Sequence, residues 1–326
     1  MVTRRLVVLA LGAGALTPLA TSAQQSAKVH RIGFLSTSTA AGYATRIEEL
    51  RKTLRELGYI EGKNVVFEER WANDNNDRLP ALAAELVRAK CDVIVTSGTP
   101  GTLALKGATT TIPIVMATSG DAVKSGLVAS LARPGGNVTG LSFFAPELYG
   151  KRVELLKEAI PGIKVIAFLT NPDNPAMREN GPAIERTAKR LKMTSRPFET
   201  RNTGEIETAF AAMAKQRADA VLVTNDSVMV ANYQMIAARA TKQRLPSVGP
   251  AEFAAAGGLM GFGPLSVGLF RRSAAYVDKI LRGAKPADLP VEQPTIFEVV
   301  INMQTAKTLG VKFSNSILVQ ATTVIK

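Results

Sequence analysis

Two hydrophobic rhythms alternate along the chain. Val29–Leu35 is a short apolar run that ends in Ser36-Thr37-Ser38-Thr39, which predicts a strand opening into a polar loop. Ile47, Leu50, Leu54 and Leu57 then recur at intervals of three and four, predicting a helix over Tyr43–Leu57 that Gly58 stops. Asn64–Arg70 reads as a second strand. Leu79, Leu82, Ala83, Leu86 and Val87 mark one face of a helix begun by Asn76 or Asp77. Asp92–Thr96 and Ile112–Ala117 are nearly unbroken β-branched runs, the pattern of strands buried on both faces. Between them, Thr99 is placed to cap a helix and Pro100 suits its first position.

The rhythm starts again beyond Leu141. Helices are predicted over Lys151–Ile160, Pro175–Leu191, Thr203–Gln216 and Ser227–Gln243, with strands at Lys164–Thr170, Ser195–Thr200 and Ala220–Thr224. Pro246–Gly249 and Leu259–Phe262 read as short strands. Phe270, Ala274, Val277 and Leu281 form the apolar face of a helix ended by Gly283, followed by a strand at Thr295–Ile301 and a helix at Thr305–Leu309. The stretch Leu131–Asn137 reads as a helix stop and turn. The fold class this predicts is α/β: two doubly wound parallel-sheet lobes joined by crossovers, with the chain passing between them at Gly140, Gly261–Pro264 and Pro290–Pro294. Lobe one is expected to hold residues 28–141 and 264–294, lobe two 142–263 and 295–326, with a ligand cleft between them.

Ligands of open parallel sheets bind beyond the carboxyl ends of the strands. Those ends carry Ser36, Trp71, Ser97-Gly98-Thr99 and Asp121 in the first lobe, and Asn171, Thr224-Asn225-Asp226 and Glu252 in the second. Hydroxyls, amides and carboxylates dominate, a set suited to holding a solute. His30 is the only histidine and Cys91 the only cysteine, so a serine–histidine–aspartate triad with a remote histidine, a histidine-based zinc site and an internal disulfide are excluded. No phosphate loop or nucleophile elbow is present. No catalytic residue, metal or cofactor is expected.

Forty Lys and Arg residues against 27 Asp and Glu give a formal charge of +13. The basic residues are spread over many helices and no nucleic-acid motif accompanies them, so they read as surface charge and nucleic acid is not an expected partner. The first 23 residues form a leader: Arg4-Arg5, an apolar stretch from Leu6, and Thr21-Ser22-Ala23 as a cleavage site. Losing it removes two positive charges, from +13 to +11. No cysteine follows the cleavage site, so the expected product is a periplasmic protein that is not a lipoprotein. The paired arginines are compatible with twin-arginine as well as Sec export.

Several blocks also resemble a known family. Arg31-Ile-Gly-Phe-Leu-Ser36, Leu79-Pro-Ala-Leu-Ala-Ala-Glu-Leu86, Asp92-Val-Ile-Val-Thr-Ser-Gly-Thr-Pro100, Leu131-Ala-Arg-Pro-Gly-Gly-Asn137 and Ala287-Asp-Leu-Pro-Val-Glu-Gln-Pro294 occur in order. They resemble the periplasmic substrate-binding proteins of one ABC-transporter family, which includes receptors similar to tryptophan/tyrosine uptake proteins. The resemblance implies a type I periplasmic-binding-protein fold with three crossovers, partnership with a permease and an ATPase subunit, membrane contact through the permease alone, and a monomer.

The expected ligand is an amino acid, aromatic in one reading, or a related small carboxylate. Its carboxylate is expected on Ser97, Gly98 and Thr99, where backbone N–H groups open a helix, with Ser36 adding a hydroxyl. Asp226 is expected to take an ammonium beside Asn225 and Thr224, and Trp71 to pack on an apolar side chain; Asp121 and Asn171 complete the candidate set. Two other readings stand beside this one: a periplasmic ligand sensor feeding a membrane protein, and an α/β enzyme using Asp121, Asp226 or Glu252 as acid or base.

Overall fold

The computed structural model describes residues 28–143 and 145–326, so the predicted leader lies outside the described residues. The first half of the chain forms β1 (His30–Ser36), α1 (Ala40–Glu56), β2 (Val65–Trp71), α2 (Leu79–Arg88), β3 (Val93–Ser97), α3 (Thr99–Ala108), β4 (Ile114–Thr118) and β5 (Val138–Gly140). The five strands make a parallel sheet in the order β2-β1-β3-β4-β5. The second series is α4 (Ala145–Ala159), β6 (Val165–Thr170), α5 (Met177–Arg190), β7 (Thr194–Glu199), α6 (Thr203–Lys215), β8 (Ala220–Val223), α7 (Ser227–Ala231), α8 (Tyr233–Lys242), β9 (Ser247–Gly249), α9 (Ala251–Ala255) and β10 (Met260–Gly263). After α10 (Ser266–Leu281), the chain adds β11 (Glu298–Asn302), α11 (Met303–Leu309), α12 (Asn315–Gln320) and β12 (Thr323–Ile325).

The second sheet has seven strands, ordered β12-β11-β10-β9-β8-β6-β7, and all its pairs are parallel except β10 with β11. Each sheet is covered on both faces. On the first, α1 and α10 bury Leu50, Leu54, Phe270 and Val277 against Phe34, Val93 and Val95, while α2 and α3 cover Ile94, Ile114 and Met116 from the other side. Thus α10, which follows the second sheet's β10 in sequence, packs on the first sheet. Glu292 then runs beside Leu141: Ser142 N–H donates to Glu292 O at 3.0 Å, and Glu292 N–H donates to Gly140 O at 2.9 Å. Two of the passages between the sheets are therefore hydrogen-bonded to each other. Cys91 sits in the α2 core, where burial pushes its thiol up to about 11, so it stays protonated and packs as a small apolar group.

Three local expectations are corrected. Gly98, at φ 92°, is the N-cap of α3 and makes no side-chain cap bond, and Thr99 is the first helical residue. The predicted helix over 227–243 is two helices. Asn232 ends α7, and its side-chain Nδ2 donates to Val228 O at 2.7 Å, the local competition with backbone pairing that makes asparagine a helix breaker. The stretch 131–137 ends no helix: it is irregular and delivers the chain to β5 inside the first sheet. Among the described residues, no helix is long and apolar enough to cross a membrane.

Candidate functional site

The carboxyl ends of both sheets face a shared cavity lined from both lobes, the usual place for a ligand of open parallel sheets. From the first lobe come Tyr43 and Arg46 of α1, Ser97-Gly98-Thr99, Thr118-Ser119-Gly120, and Ser266 and Phe270 of α10. From the second come Leu148 and Tyr149 of α4, Asn174, Met177 and Asn180 around the start of α5, Asn225, Ser227, Tyr233 and Glu252.

The first-lobe wall is a chain of hydroxyls. Ser97 Oγ donates to Tyr43 Oη at 3.2 Å and lies 2.8 Å from Thr118 Oγ1; Thr99 Oγ1 lies 3.2 Å from Ser119 Oγ and accepts from Gly120 N at 3.1 Å. The Gly98 N–H donates to Thr118 O at 2.8 Å. The expected donor at Gly98 is thus already paired, and the start of α3 contributes Thr99 and the neighbouring hydroxyls in its place.

The second-lobe wall is set by two buried ions behind it. Arg152 is fully buried, with its guanidinium over the Tyr149 ring; its Nε donates to Phe262 O at 2.9 Å and its Nη1 to Asn225 Oδ1 at 2.7 Å. Asn225 Oδ1 is held by that bond, and the Asn225 N–H donates to Tyr149 Oη at 2.9 Å. Asp226 does not reach the cavity. Its carboxylate accepts from Asn171 Nδ2 at 3.2 Å, Asn174 Nδ2 at 2.8 Å and Val228 N at 3.0 Å, so it caps α7. Burial pushes its carboxyl above the ordinary range, against the lowering effect of those donors. Asp226→Asn keeps an oxygen for Asn171 and Val228 but turns a new amide N–H₂ toward the Asn174 Nδ2 donor, and should cost about 1–3 kcal/mol of stability in chemical denaturation. Ligand affinity should stay within about threefold, because the group lies behind the wall.

The other expected site residues divide in the same way. Ser97, Gly98, Thr99 and Asn225 line the cavity; Ser36, Trp71, Asp121, Asn171 and Thr224 do not. Ser36 Oγ accepts from Ser38 N at 3.2 Å. Trp71 packs on Phe34 and Tyr43, at ring centroid distances of 5.1 and 6.3 Å, in the core between β2 and α1. Asp121 Oδ1 accepts from Val123 N and Lys124 N, and Thr224 is buried. Of the three carboxylates proposed as acid or base, Glu252 alone reaches the cavity.

Glu252 belongs to the group that carries the cavity's charge. It accepts from both N–H and Oγ of Ser266, the latter at 2.5 Å, and Ser266 Oγ also accepts from Arg46 Nε at 2.7 Å. Arg46 lies over the Tyr43 ring, 5.2 Å from its centroid. Ser266 thus joins a cation from the first lobe to a carboxylate from the second. Sequence reasoning missed Tyr43, Arg46, Tyr149, Asn174, Asn180 and Tyr233. The available signal was Tyr43 and Arg46 themselves, one helical turn apart at the start of a helix that leaves a strand's carboxyl end.

Three close contacts join the lobes at the rim. A Cβ on Gly42 would lie 2.5 Å from Ala231 Cβ, one on Gly120 would lie 2.6 Å from Ala176 Cβ, and one on Gly98 would lie 3.0 Å from Ser227 Oγ. Farther out, Thr203 Oγ1 of α6 donates to Asp74 Oδ2 in the loop after β2 at 3.1 Å.

Two lobes of parallel sheet with a cavity walled by both define a binding protein of the periplasmic-receptor type. The chain belongs to the ABC transporter substrate binding protein family, whose model matches residues 38–325. It is similar to a tyrosine-binding protein of Clostridioides difficile strain R20291, 26% identical over 262 residues, 80% of this chain and 75% of that protein. Among solved structures it is similar to an ABC domain in complex with L-Trp from Streptococcus pneumoniae, 26% identical with TM-score 0.83, over 91% of this chain and 100% of that one. A conserved domain protein from Vibrio cholerae is 29% identical with TM-score 0.84, over the same shares.

Proposed function

We propose that this chain is an exported receptor of an ABC importer, that it captures an aromatic L-amino acid in the interlobe cavity by hinge closure, and that it hands the solute to a membrane permease driven by an ATPase subunit. The observation that supports this reading is that Arg46 and Glu252, opposite charges from opposite lobes joined through Ser266, lie beside the hydroxyls of Ser97 and Thr99 in a cavity that also presents tyrosine and phenylalanine rings. A zwitterion supplies the matching pair: its carboxylate beside Arg46, the hydroxyls and the positive end of α3, its ammonium on Glu252. An aromatic side chain suits the rings of Tyr43, Phe143, Tyr149 and Phe270. The names of the relatives, a tyrosine-binding protein and a tryptophan complex, support the same class.

The test is calorimetric titration with L-tryptophan, tryptamine and indole-3-propionate. Loss of either charged group should weaken binding at least about tenfold, the cost of leaving a buried charge unpaired. Equal binding by the analogues, or binding of a pentose with none of the three, would overturn the reading.

Closure should also carry a proton. At the rim, burial pushes the Asp74 carboxyl above its ordinary value and Asp226 adds to the effect, while the bond from Thr203 opposes it. Opening separates Asp74 from Thr203 and returns its pKa toward the ordinary value. A group whose pKa is raised in the closed form favours that form most below its ordinary pKa, and this contribution is lost as pH rises through the raised value. Affinity should therefore rise as pH falls through the raised value toward the ordinary one, with proton uptake visible in buffers of different ionisation enthalpy. Asp74→Asn should flatten the profile; an unchanged slope in that variant would contradict the assignment.

A further inference from the structure

One buried polar atom on a cavity-lining residue has no partner within the protein, and it points to a specificity device. Buried side-chain atoms without a partner occur at His30, Thr37, Ser38, Arg51, Asp74, Arg152, Asn180 and Thr224. Among these described residues, Asn180 alone lines the cavity. It is 2% exposed and lies in the first turn of α5, and its Nδ2 donates to Met177 Sδ three residues earlier at 3.6 Å, which leaves Oδ1 as the unpaired acceptor. Met177, Leu148 and Phe143 line the same cavity. A buried acceptor left without a hydrogen bond is costly.

We infer that Asn180 is a specificity-determining residue: its Oδ1 accepts a hydrogen bond from a donor on the ligand's aromatic side chain, selecting indole N–H or phenol O–H over a plain hydrocarbon ring. This rests on the amino-acid reading above. There the ammonium is taken by Glu252, within the Arg46–Ser266 group, and the side chain lies along the Leu148, Met177 and Phe143 wall. A ligand donor repairs the orphaned acceptor. A ligand without one leaves it both dehydrated and unpaired, and this asymmetry lets a site built to hydrogen-bond reject the analogue that lacks the group.

The experiment compares two near-isosteric pairs by calorimetry: L-tyrosine with L-phenylalanine, and L-tryptophan with 3-benzothienyl-L-alanine, in which sulfur replaces the indole N–H. In the wild-type protein, the donor-bearing member of at least one pair should bind about tenfold or more tightly. In Asn180→Leu that ratio should fall to within about threefold, with the donor-free ligand bound as well as before or better. Asn180→Ala, which removes the same acceptor with a smaller side chain, takes its place if the leucine variant fails to fold, with the same fall in ratio expected. Ratios near one for both pairs, a reversed preference, or discrimination that survives in Asn180→Leu would overturn the role of Asn180 while leaving amino-acid binding standing. Failure of all four ligands to bind would overturn the amino-acid reading and this inference with it.

Discussion

Glu252→Gln is expected to weaken L-tryptophan or L-tyrosine binding by about 2–5 kcal/mol, the usual loss when one partner of a buried charge pair is removed. Among the described cavity-lining residues, Glu252 is the one carboxylate, and through Ser266 it faces the one arginine. Glutamine keeps a carbonyl oxygen for the Ser266 N–H at the start of α10, so the unliganded fold should be nearly unaffected and its melting temperature should shift little. Arg46 would then stand in the cavity without a counter-charge, and the ligand ammonium would lose its partner. Calorimetry and thermal denaturation of the same preparation separate the two effects. An affinity within about threefold of wild type would remove Glu252 from the site.

Gly42→Ala should act in opposite directions on the two halves of the cycle. Gly42 lies inside α1, where alanine in place of glycine stabilises a helix by about 0.5–1 kcal/mol. In the arrangement described here the added methyl meets Ala231 Cβ at 2.5 Å and its Cα at 2.9 Å, and backbone cannot swing aside as a side chain can. Overpacking of this kind costs about 1–3 kcal/mol. The unliganded protein should therefore melt at the same or a higher temperature while its affinity falls about five- to 150-fold. Gly120→Ala places a second methyl 2.6 Å from Ala176 Cβ at another point on the seam. Since the two sites share no partner, the double variant should show close to the sum of the losses. Full affinity in the double variant would show that ligand binding does not bring these surfaces together.

Hydrophobic pattern carried the architecture where it was long enough to show a period. The β-branched runs at 92–96 and 112–117 are central strands β3 and β4, and the leucine spacing of α1 and α2 marks their buried faces. Four short elements, β5, α9, α12 and β12, went unread, since none is long enough to display either period and none is an unbroken apolar run like those that marked β8 and β10. The strand-end rule led to Ser97, Gly98, Thr99, Asn225 and Glu252 because those positions depend only on where a strand stops. It failed for Trp71 and Asp226, where the direction of the side chain decides: Trp71 turns under α1 and Asp226 turns back to cap α7. Arg46, Asn180 and Tyr233 sit on helices. Polar or aromatic residues at those positions look like an ordinary solvated or core face until the angle at which the helix leaves its strand is known.

The central claim is that a small amino acid holds the two lobes together around the cavity. Small-angle X-ray scattering of the purified protein, without ligand and with saturating L-tryptophan or L-tyrosine, tests it most directly, because a hinge can be closed only by a ligand with greater affinity for the closed state. The expected result is a smaller radius of gyration with ligand and a curve that matches the arrangement described here. An unchanged radius under ligand shown by calorimetry to occupy the protein fully would contradict it.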